Sequence, residues 1–305
     1  MKINTLPEIT PHDIREAHAR ISPHINRTPV MANKSINKIV EASVFFKCEN
    51  MQKVGAFKAR GATNAVQSLE PGIAQHGVAT HSSGNHAQAL SWAASIAGID
   101  AYIVMPSNSN RVKIAAVRDY GGKITFCEPT LKARETTLAK VVEETGAQEI
   151  HPYNDLRIIA GQATAALEFL EDTGRLDFMM TPVGGGGLLS GTALSCNYFG
   201  QGTNVIAAEP DQANDAYLSF IQKEFVPSLN PNTIADGLRT SLGDLTFPII
   251  LKYVSQIYTV KEATIISAMR LIWERLKILV EPSASVPLAV LMEGHQELKN
   301  KRIGI

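Results

Sequence analysis

One pattern limits the fold of this chain more than any other. Short strand-like runs alternate with helical stretches through its middle. Residues 77–80, 101–105, 123–127 and 149–151 read as short strands, the second stopped by Pro106 and the last by Pro152. Between them, residues 86–97, 111–120 and 130–145 carry helical periodicity, and the last two stop at Gly121-Gly122 and Gly146. Neighbouring parallel strands must be joined by a crossover, usually a helix, so this rhythm predicts a parallel sheet covered by helices. A second set follows: a helix over 158–173, strands over 178–183 and 204–208, a helix after 211 and an amphipathic helix over 262–279. Ahead of both lie a helix over 10–22 with Thr10-Pro11-His12-Asp13 at its start, an extended turn at 27–30, a strand over 42–48 and a helix from Lys58 toward Ser68. No repeat, low-complexity stretch or Pro/Gly/Ser linker divides the sets. The expected organisation is discontinuous, with residues 77–153 inserted into a larger unit made of 1–76 and 154–305.

Charge excludes several partners. Lysine plus arginine equals aspartate plus glutamate, 29 each, so neither nucleic acid nor an anionic membrane surface is an expected partner. No apolar run approaches the roughly 18 residues that span a bilayer, and Met1–Pro7 lacks the apolar core of a signal peptide. Cys48, Cys127 and Cys196 are too few and too scattered for a disulfide framework or a zinc site. A cytoplasmic location is the default expectation.

Three stretches carry chemistry. In Gly55-Ala56-Phe57-Lys58-Ala59-Arg60-Gly61-Ala62, Lys58 stands among small and aromatic residues. Burial there disfavours the ammonium and lowers its pKa from about 10.4. A neutral lysine amine is a nucleophile toward an aldehyde; a surface lysine on an ordinary helix is the plainer reading. His81-Ser82-Ser83-Gly84-Asn85-His86-Ala87-Gln88 lies between a strand and a helix, where parallel sheets bind ligands. Ser83 and Gly84 set hydroxyl and backbone N–H groups at a helix N-terminus, which reads equally as an anion site or as an N-cap turn with polar decoration. Val183-Gly184-Gly185-Gly186-Gly187-Leu188-Leu189-Ser190-Gly191 leaves backbone amides bare after a strand, free to converge on a phosphate. No Gly-Lys-Ser/Thr follows and the G-x-G-x-x-G spacing fails, which favours a phosphate monoester over a nucleotide. A fourth stretch, Glu209-Pro210-Asp211-Gln212-Ala213-Asn214-Asp215, sets two carboxylates about a carbonyl. It reads as a hard-cation site, as an acidic helix N-terminus, or as both.

The Ala-Phe-Lys-x-Arg-Gly-Ala segment, the Ser-Ser-Gly-Asn-His segment and the tetraglycine loop, in this order, resemble fold-type II pyridoxal-phosphate enzymes. The similarity is to the serine racemase and serine/threonine dehydratase family. It extends to Asp236-Gly237, Trp273-Glu274-Arg275 and Glu281-Pro282-Ser283-Ala284. The resemblance implies two three-layer, open, twisted, mostly parallel sheets with flanking helices, like the tryptophan synthase β chain. Residues 1–76 and 154–305 would be the large cofactor-binding domain and 77–153 a small mobile substrate domain. It implies pyridoxal 5′-phosphate held covalently by Lys58, with Phe57 before it, Asn85 at the cofactor's 3′-oxygen, Gly184, Gly185, Gly186, Gly187 and Leu188 around its phosphate, and Glu281 nearby. Ser83 resembles the serine on the side of the cofactor opposite the lysine. Ser82, Ser83, Gly84, Asn85 and His86 would receive the substrate carboxylate, and Arg134 resembles an arginine that some members place near a substrate's side-chain carboxylate. Glu209, the Ala213 carbonyl and Asp215 match a site for Mg²⁺, or for Ca²⁺ or Mn²⁺. A small amino-acid substrate and a homodimer are implied as partners.

The implied reaction is ammonia-lyase (dehydratase) chemistry, in which L-serine, L-threonine or a related β-hydroxy amino acid gives a 2-oxo acid and ammonia. Lys58 would take the Cα proton. The alternatives are serine racemisation through Ser83 with side dehydratase activity, a 3-hydroxyaspartate dehydratase selected by Arg134, and a cofactor-binding protein without turnover. Three features depart from the family. Ser285 stands where many members have glycine and is expected to narrow the space near the ring. Lys53-Val54 replaces Lys-Thr. The family continues past its last strand to a Ser/Cys-Gly-Gly-Asn turn whose serine or cysteine meets the pyridine nitrogen, whereas the sequence given stops at Lys301-Arg302-Ile303-Gly304-Ile305, which reads as the start of that strand. No end-product control through an added C-terminal domain is expected.

Overall fold

A computed structural model describes residues 8–305. Among these residues, ten strands form two sheets. Strands β1 (Val30–Ala32), β2 (Ser43–Lys47), β7 (Phe178–Pro182), β8 (Asn204–Pro210), β9 (Val254–Val260) and β10 (Arg302–Gly304) make a six-stranded sheet in the order β1-β2-β10-β7-β8-β9. Strands β3 (Val78–His81), β4 (Ala101–Pro106), β5 (Lys123–Cys127) and β6 (Gln148–Glu149) make a four-stranded sheet in the order β5-β4-β3-β6. Every pairing is parallel except β1 with β2. The predicted α/β class holds, with helices covering both faces of each sheet.

The sheets read as continuous apolar runs because both faces are buried. On the larger sheet, Met179, Val205 and Ala207 pack against Phe169, Leu170 and Leu189. Their neighbours Met180, Ile206 and Ala208 pack on the opposite face with Ala268, Ile272, Val286 and Ala289. This is the two-residue alternation of a strand with no solvent side. On the smaller sheet, Val78, Ile103 and Met105 meet Leu90, Ala93 and Val117 on one face, while Ala79 and Val104 meet Leu138 and Val141 on the other.

The helix Lys58–Gln67 joins the two units. Its Ala62, Ala65 and Val66 belong to the core of the smaller sheet. Its opposite side crosses the helix Leu156–Thr173 at two glycines, where a Cβ at Gly161 would lie 2.6 Å from the Gly61 Cα. Backbones that close lock the axial position of the helix and so the position of Lys58 at its first residue.

Several elements go beyond the sequence reading. The helix Gly187–Phe199 follows the glycine run directly, the helix Pro282–Met292 contains Pro287, and β9 follows the helix Thr246–Tyr253. The extended turn at 27–30 leads into β1, and the expected 149–151 strand pairs only over Gln148–Glu149. The expected final strand is β10, which lies inside the sheet between β2 and β7.

Candidate active site

A cavity of about 650 Å³ opens beyond the C-terminal ends of β3 and β7, lined from both units. That is where open parallel sheets bind ligands, because helix N-termini and loops converge there.

Lys58 begins its helix and lines this cavity. Its ammonium donates to the Pro152 carbonyl at 2.7 Å and lies 5.3 Å from the centre of the Phe57 ring. Burial pulls its pKa from 10.5 down to about 8, against the attraction of the Glu281 carboxylate. The expected drop is present, and it leaves a usable fraction of neutral amine near neutral pH.

The tetraglycine loop links β7 to the helix Gly187–Phe199 and lines the cavity throughout. The first intrahelical bond runs from Ser190 N to Gly186 O, so the amides before it have no partner within the helix. Gly186 has φ +85°, and a Cβ there would lie 2.9 Å from Thr246. A Cβ at Gly187 would lie 2.9 Å from the Tyr153 Cβ, and one at Gly185 would enter the Tyr153 ring. Thr246 Oγ1 donates to the Gly185 carbonyl at 2.9 Å. Bare amides at a helix N-terminus, a backbone no side chain could line, and an enclosed amine in one cavity fit a phosphate ester carrying an aldehyde.

Ser82, Ser83, Gly84 and Asn85 lead into the helix Asn85–Ala97 and also line the cavity. Gly84 N donates to Ser82 Oγ at 3.3 Å. Asn85 Nδ2 donates to both oxygens of Glu281, at 3.0 and 3.2 Å, tying the smaller unit to the start of the helix Pro282–Met292. The His86 side chain is buried, with Nε2 against the Ile150 carbonyl at 3.1 Å. Arg134 lines the cavity, and its Nε is buried without a hydrogen-bond partner among the described residues. Burial lowers the His81 pKa, and the Arg134 charge lowers it further. Lys113 and Asp236 form an ion pair of 2.6 Å across the cavity mouth.

Ser285 does not narrow the cavity. Its hydroxyl turns back to the Pro282 carbonyl at 3.0 Å, and Ser283 and Ala284 line the cavity in its place. The residue lies on the inner side of its helix, a phase that the sequence pattern left open.

Glu209 and Asp215 stand apart from the cavity. The Glu209 carboxylate is fully buried and accepts from Ala216 N at 2.9 Å and Tyr217 N at 2.7 Å. Burial raises its pKa to about 9, and the charge of Asp215 adds to the rise. Burial likewise raises Asp215 to about 6, against a smaller lowering by Ser228. Such a pair suits a bound cation. Among the described residues no group of three or more His, Cys, Asp or Glu is placed to hold a metal ion, so carbonyls and water would have to complete the shell.

The turn at 151–154 is a part of the cavity that sequence reasoning missed. His151 Nδ1 accepts from Tyr153 N at 3.4 Å and Asn154 N at 2.9 Å. Burial, with the nearby charges of His81 and Lys58, pulls the His151 pKa to about 4, so it stays a neutral acceptor. The one available signal was position, since the turn follows a strand of the parallel sheet just as 81–88 does.

The family described as pyridoxal-phosphate dependent enzyme matches residues 21–305. The β-hydroxyaspartate dehydratase of Paracoccus denitrificans (strain Pd 1222) is 50% identical over 296 residues, covering 97% of this chain and 94% of that protein. The serine racemase structure from Dictyostelium discoideum superposes with a TM-score of 0.93 at 45% identity, covering 97% of this chain and 96% of that one. The T.th. threonine deaminase structure gives a TM-score of 0.92 at 37% identity, covering 97% of this chain and 96% of that one. With this fold, this cavity and these relatives, the chain belongs to the fold-type II family of pyridoxal-phosphate dependent enzymes.

Proposed function

We propose that the protein is a pyridoxal-phosphate-dependent ammonia-lyase acting on a β-hydroxy amino acid, with an acidic one such as 3-hydroxyaspartate as its preferred substrate. The observation that carries the preference is the Arg134 guanidinium, whose Nε is buried at the cavity without a partner among the described residues. A buried unpaired donor on a cation costs free energy that a carboxylate would relieve. The 50% identical relative is a β-hydroxyaspartate dehydratase, which supports the same reading.

In this reading, Lys58 would hold the cofactor covalently, and the amides of Gly184 through Leu188 would hold its phosphate. The cofactor supplies an electron sink for charge that develops at the substrate Cα. Lys58 would take the Cα proton as an amine of lowered pKa. The N-terminus of the helix Asn85–Ala97, with Ser82, Ser83 and Gly84, receives the substrate α-carboxylate. Asn85, tied to Glu281 at 3.0 Å, would hydrogen-bond the cofactor's 3′-oxygen. Residues 77–153 act as a smaller unit that closes over the larger one, with Lys113–Asp236 as one contact between them. Racemisation is the second reading. Ser83 lines the same cavity as Lys58, and racemases are among the similar structures; Ser83 would exchange the proton on the other face of Cα.

A substrate panel tests this reading. The purified protein, given pyridoxal phosphate, should convert 3-hydroxyaspartate to a 2-oxo acid and ammonia faster than it converts L-serine, D-serine or L-threonine. Arg134→Gln should raise KM for 3-hydroxyaspartate about 30- to 100-fold, the scale of one charge-assisted pair. KM for L-serine should stay within about threefold, since L-serine has no side-chain carboxylate for Arg134 to meet. Equal losses on both substrates would remove Arg134 from the specificity reading. D-serine formed from L-serine faster than any 2-oxo acid would instead favour the racemase.

We further infer that Glu209, the Ala213 carbonyl and Asp215 hold a divalent cation. Millimolar Mg²⁺ or Ca²⁺ should raise the melting temperature by several degrees through mass action. Asp215→Asn should abolish that rise. A rise of the same size in Asp215→Asn would locate the cation elsewhere.

A further inference from the structure

The turn at 151–154 reaches both ends of the space assigned to the cofactor. Its Pro152 carbonyl accepts from the Lys58 amine at 2.7 Å. One residue later, the Tyr153 ring lies against Gly185 and the Tyr153 Cβ against Gly187, so close that neither glycine could carry a side chain. The far side of the loop is closed as well. Thr246 Oγ1 bonds the Gly185 carbonyl, and Leu245 N donates to Asn154 Oδ1 at 2.9 Å. The tetraglycine loop is therefore gripped between an aromatic wall and a threonine. Four consecutive glycines have no side chains with which to fix their own backbone, so the wall must come from elsewhere.

We propose that Tyr153 is a positioning residue for the phosphate cradle, its ring setting the tetraglycine loop so that the loop's amides converge. The inference rests on the reading of this loop as the phosphate-holding element. Tyr153 is itself well fixed. Its ring meets the His151 imidazole edge to face, with centres 4.6 Å apart and planes at 89°. Nδ1 of that imidazole in turn accepts the backbone N–H groups of Tyr153 and Asn154. The phenol contributes no charge of its own, because burial pushes its pKa up to about 12. The ring and not the hydroxyl meets the glycines, so shape is the working property.

The test measures cofactor binding to the apo protein by absorbance titration, with pyridoxal 5′-phosphate and, separately, with pyridoxal, which lacks the phosphate. Tyr153→Ala should weaken pyridoxal phosphate about 30-fold, the scale of ordering one or two freed glycine backbones. It should change pyridoxal binding by less than about threefold, since the Lys58 end is left in place. Tyr153→Phe should match the wild type with both probes. Tyr153→Leu keeps apolar bulk over the loop and should fall between; it carries the test if the alanine variant does not fold. Wild-type affinity for pyridoxal phosphate in both Tyr153→Ala and Tyr153→Leu would overturn the proposal. A Tyr153→Phe defect as large as that of the alanine variant would also overturn it, by moving the role to the hydroxyl. Equal weakening of both probes would move it to the Lys58 end of the turn. Failure of the wild type to bind either probe would overturn the underlying cofactor reading, and this inference with it.

Discussion

Lys58→Met should abolish turnover, remove the visible absorbance of a covalently held pyridoxal group, and yet make the cofactor-free chain more stable at neutral pH. The first two effects follow from removing the buried amine that stands in the cavity at the start of that helix. A nucleophile that doubles as the base at Cα is worth at least about 10³-fold in rate. The third follows from where the amine sits. Its ordinary value of 10.5 falls to about 8 in the fold, because burial penalises the ammonium. Between those two values the folded state binds fewer protons than the unfolded chain, so stability rises with pH across that window. Below pH 8 the full penalty is present, about 3 kcal/mol at 1.36 kcal/mol for each pKa unit. Methionine fills a similar volume and carries no such penalty. The loss of the bond to the Pro152 carbonyl returns about 1 kcal/mol. A net gain of about 2 kcal/mol is expected at pH 7 by urea unfolding of the apo protein, shrinking toward zero or below by about pH 10.5. A variant no more stable than the wild type at pH 7 would show that the ammonium is not desolvated. A gain that persisted unchanged to pH 10.5 would show that its source is packing rather than charge.

The sequence reveals those parts whose signals are local. Strands buried on both faces announce themselves as apolar runs, as β3, β4, β7 and β8 do, and the largely exposed edge strand β5 is also legible to within a few residues. Lys58, Ser83, Asn85 and the four glycines stand in short motifs, and the structure brings all of them to one cavity. What stays hidden depends on contacts distant in sequence or on rules locally broken. The helix Gly187–Phe199 starts on a glycine, the poorest helix former after proline, and is held by a close crossing in which a Cβ at Gly191 would lie 2.6 Å from Ala163 N. The helix Pro282–Met292 tolerates Pro287 inside it. The long helix expected over 262–279 ends at Leu276, because Lys277 takes a left-handed turn with φ +60° where a glycine would have been the signal. Tyr153 carries no motif, and its place against Gly185 and Gly187 is set by tertiary packing.

Glu168→Ala should cost about 3–5 kcal/mol of stability, more than any truncation of a surface charge, although the residue lies outside the catalytic constellation. Glu168 is buried on the helix Leu156–Thr173 and takes two bonds from Arg60, Nη1 at 2.8 Å and Nη2 at 2.9 Å. Lys47 Nζ reaches it at 2.8 Å. Arg60 spends its remaining donors on Glu49, Nε and Nη2 both at 2.8 Å, and its Nη1 also meets Thr164 Oγ1 at 3.2 Å. Burial alone would raise the Glu168 pKa, but the Arg60 and Lys47 charges overcome it and hold the carboxyl below its ordinary value. Removing the carboxylate leaves Arg60 with the carboxylate of Glu49 alone and Lys47 with only that of Asp172, at 3.6 Å, so two buried cations lose their shared partner, which is the costly state. Arg60 lies two residues beyond Lys58 on the same short helix, so the ion cluster and the Gly61–Gly161 crossing hold one element at one position. Glu168→Ala should therefore also loosen pyridoxal binding in the variant that remains folded at low temperature. Glu168→Gln, which keeps the hydrogen-bonding shape and loses the charge, should fall between the alanine variant and the wild type. Replacing Lys47, Arg60 and Glu168 together with apolar residues of similar volume should cost less than the three single truncations summed, because no charge is stranded. Should Glu168→Ala unfold within about 1 kcal/mol of the wild type, the cluster would be a solvated pairing and the placement of Lys58 would rest on the glycine crossing alone.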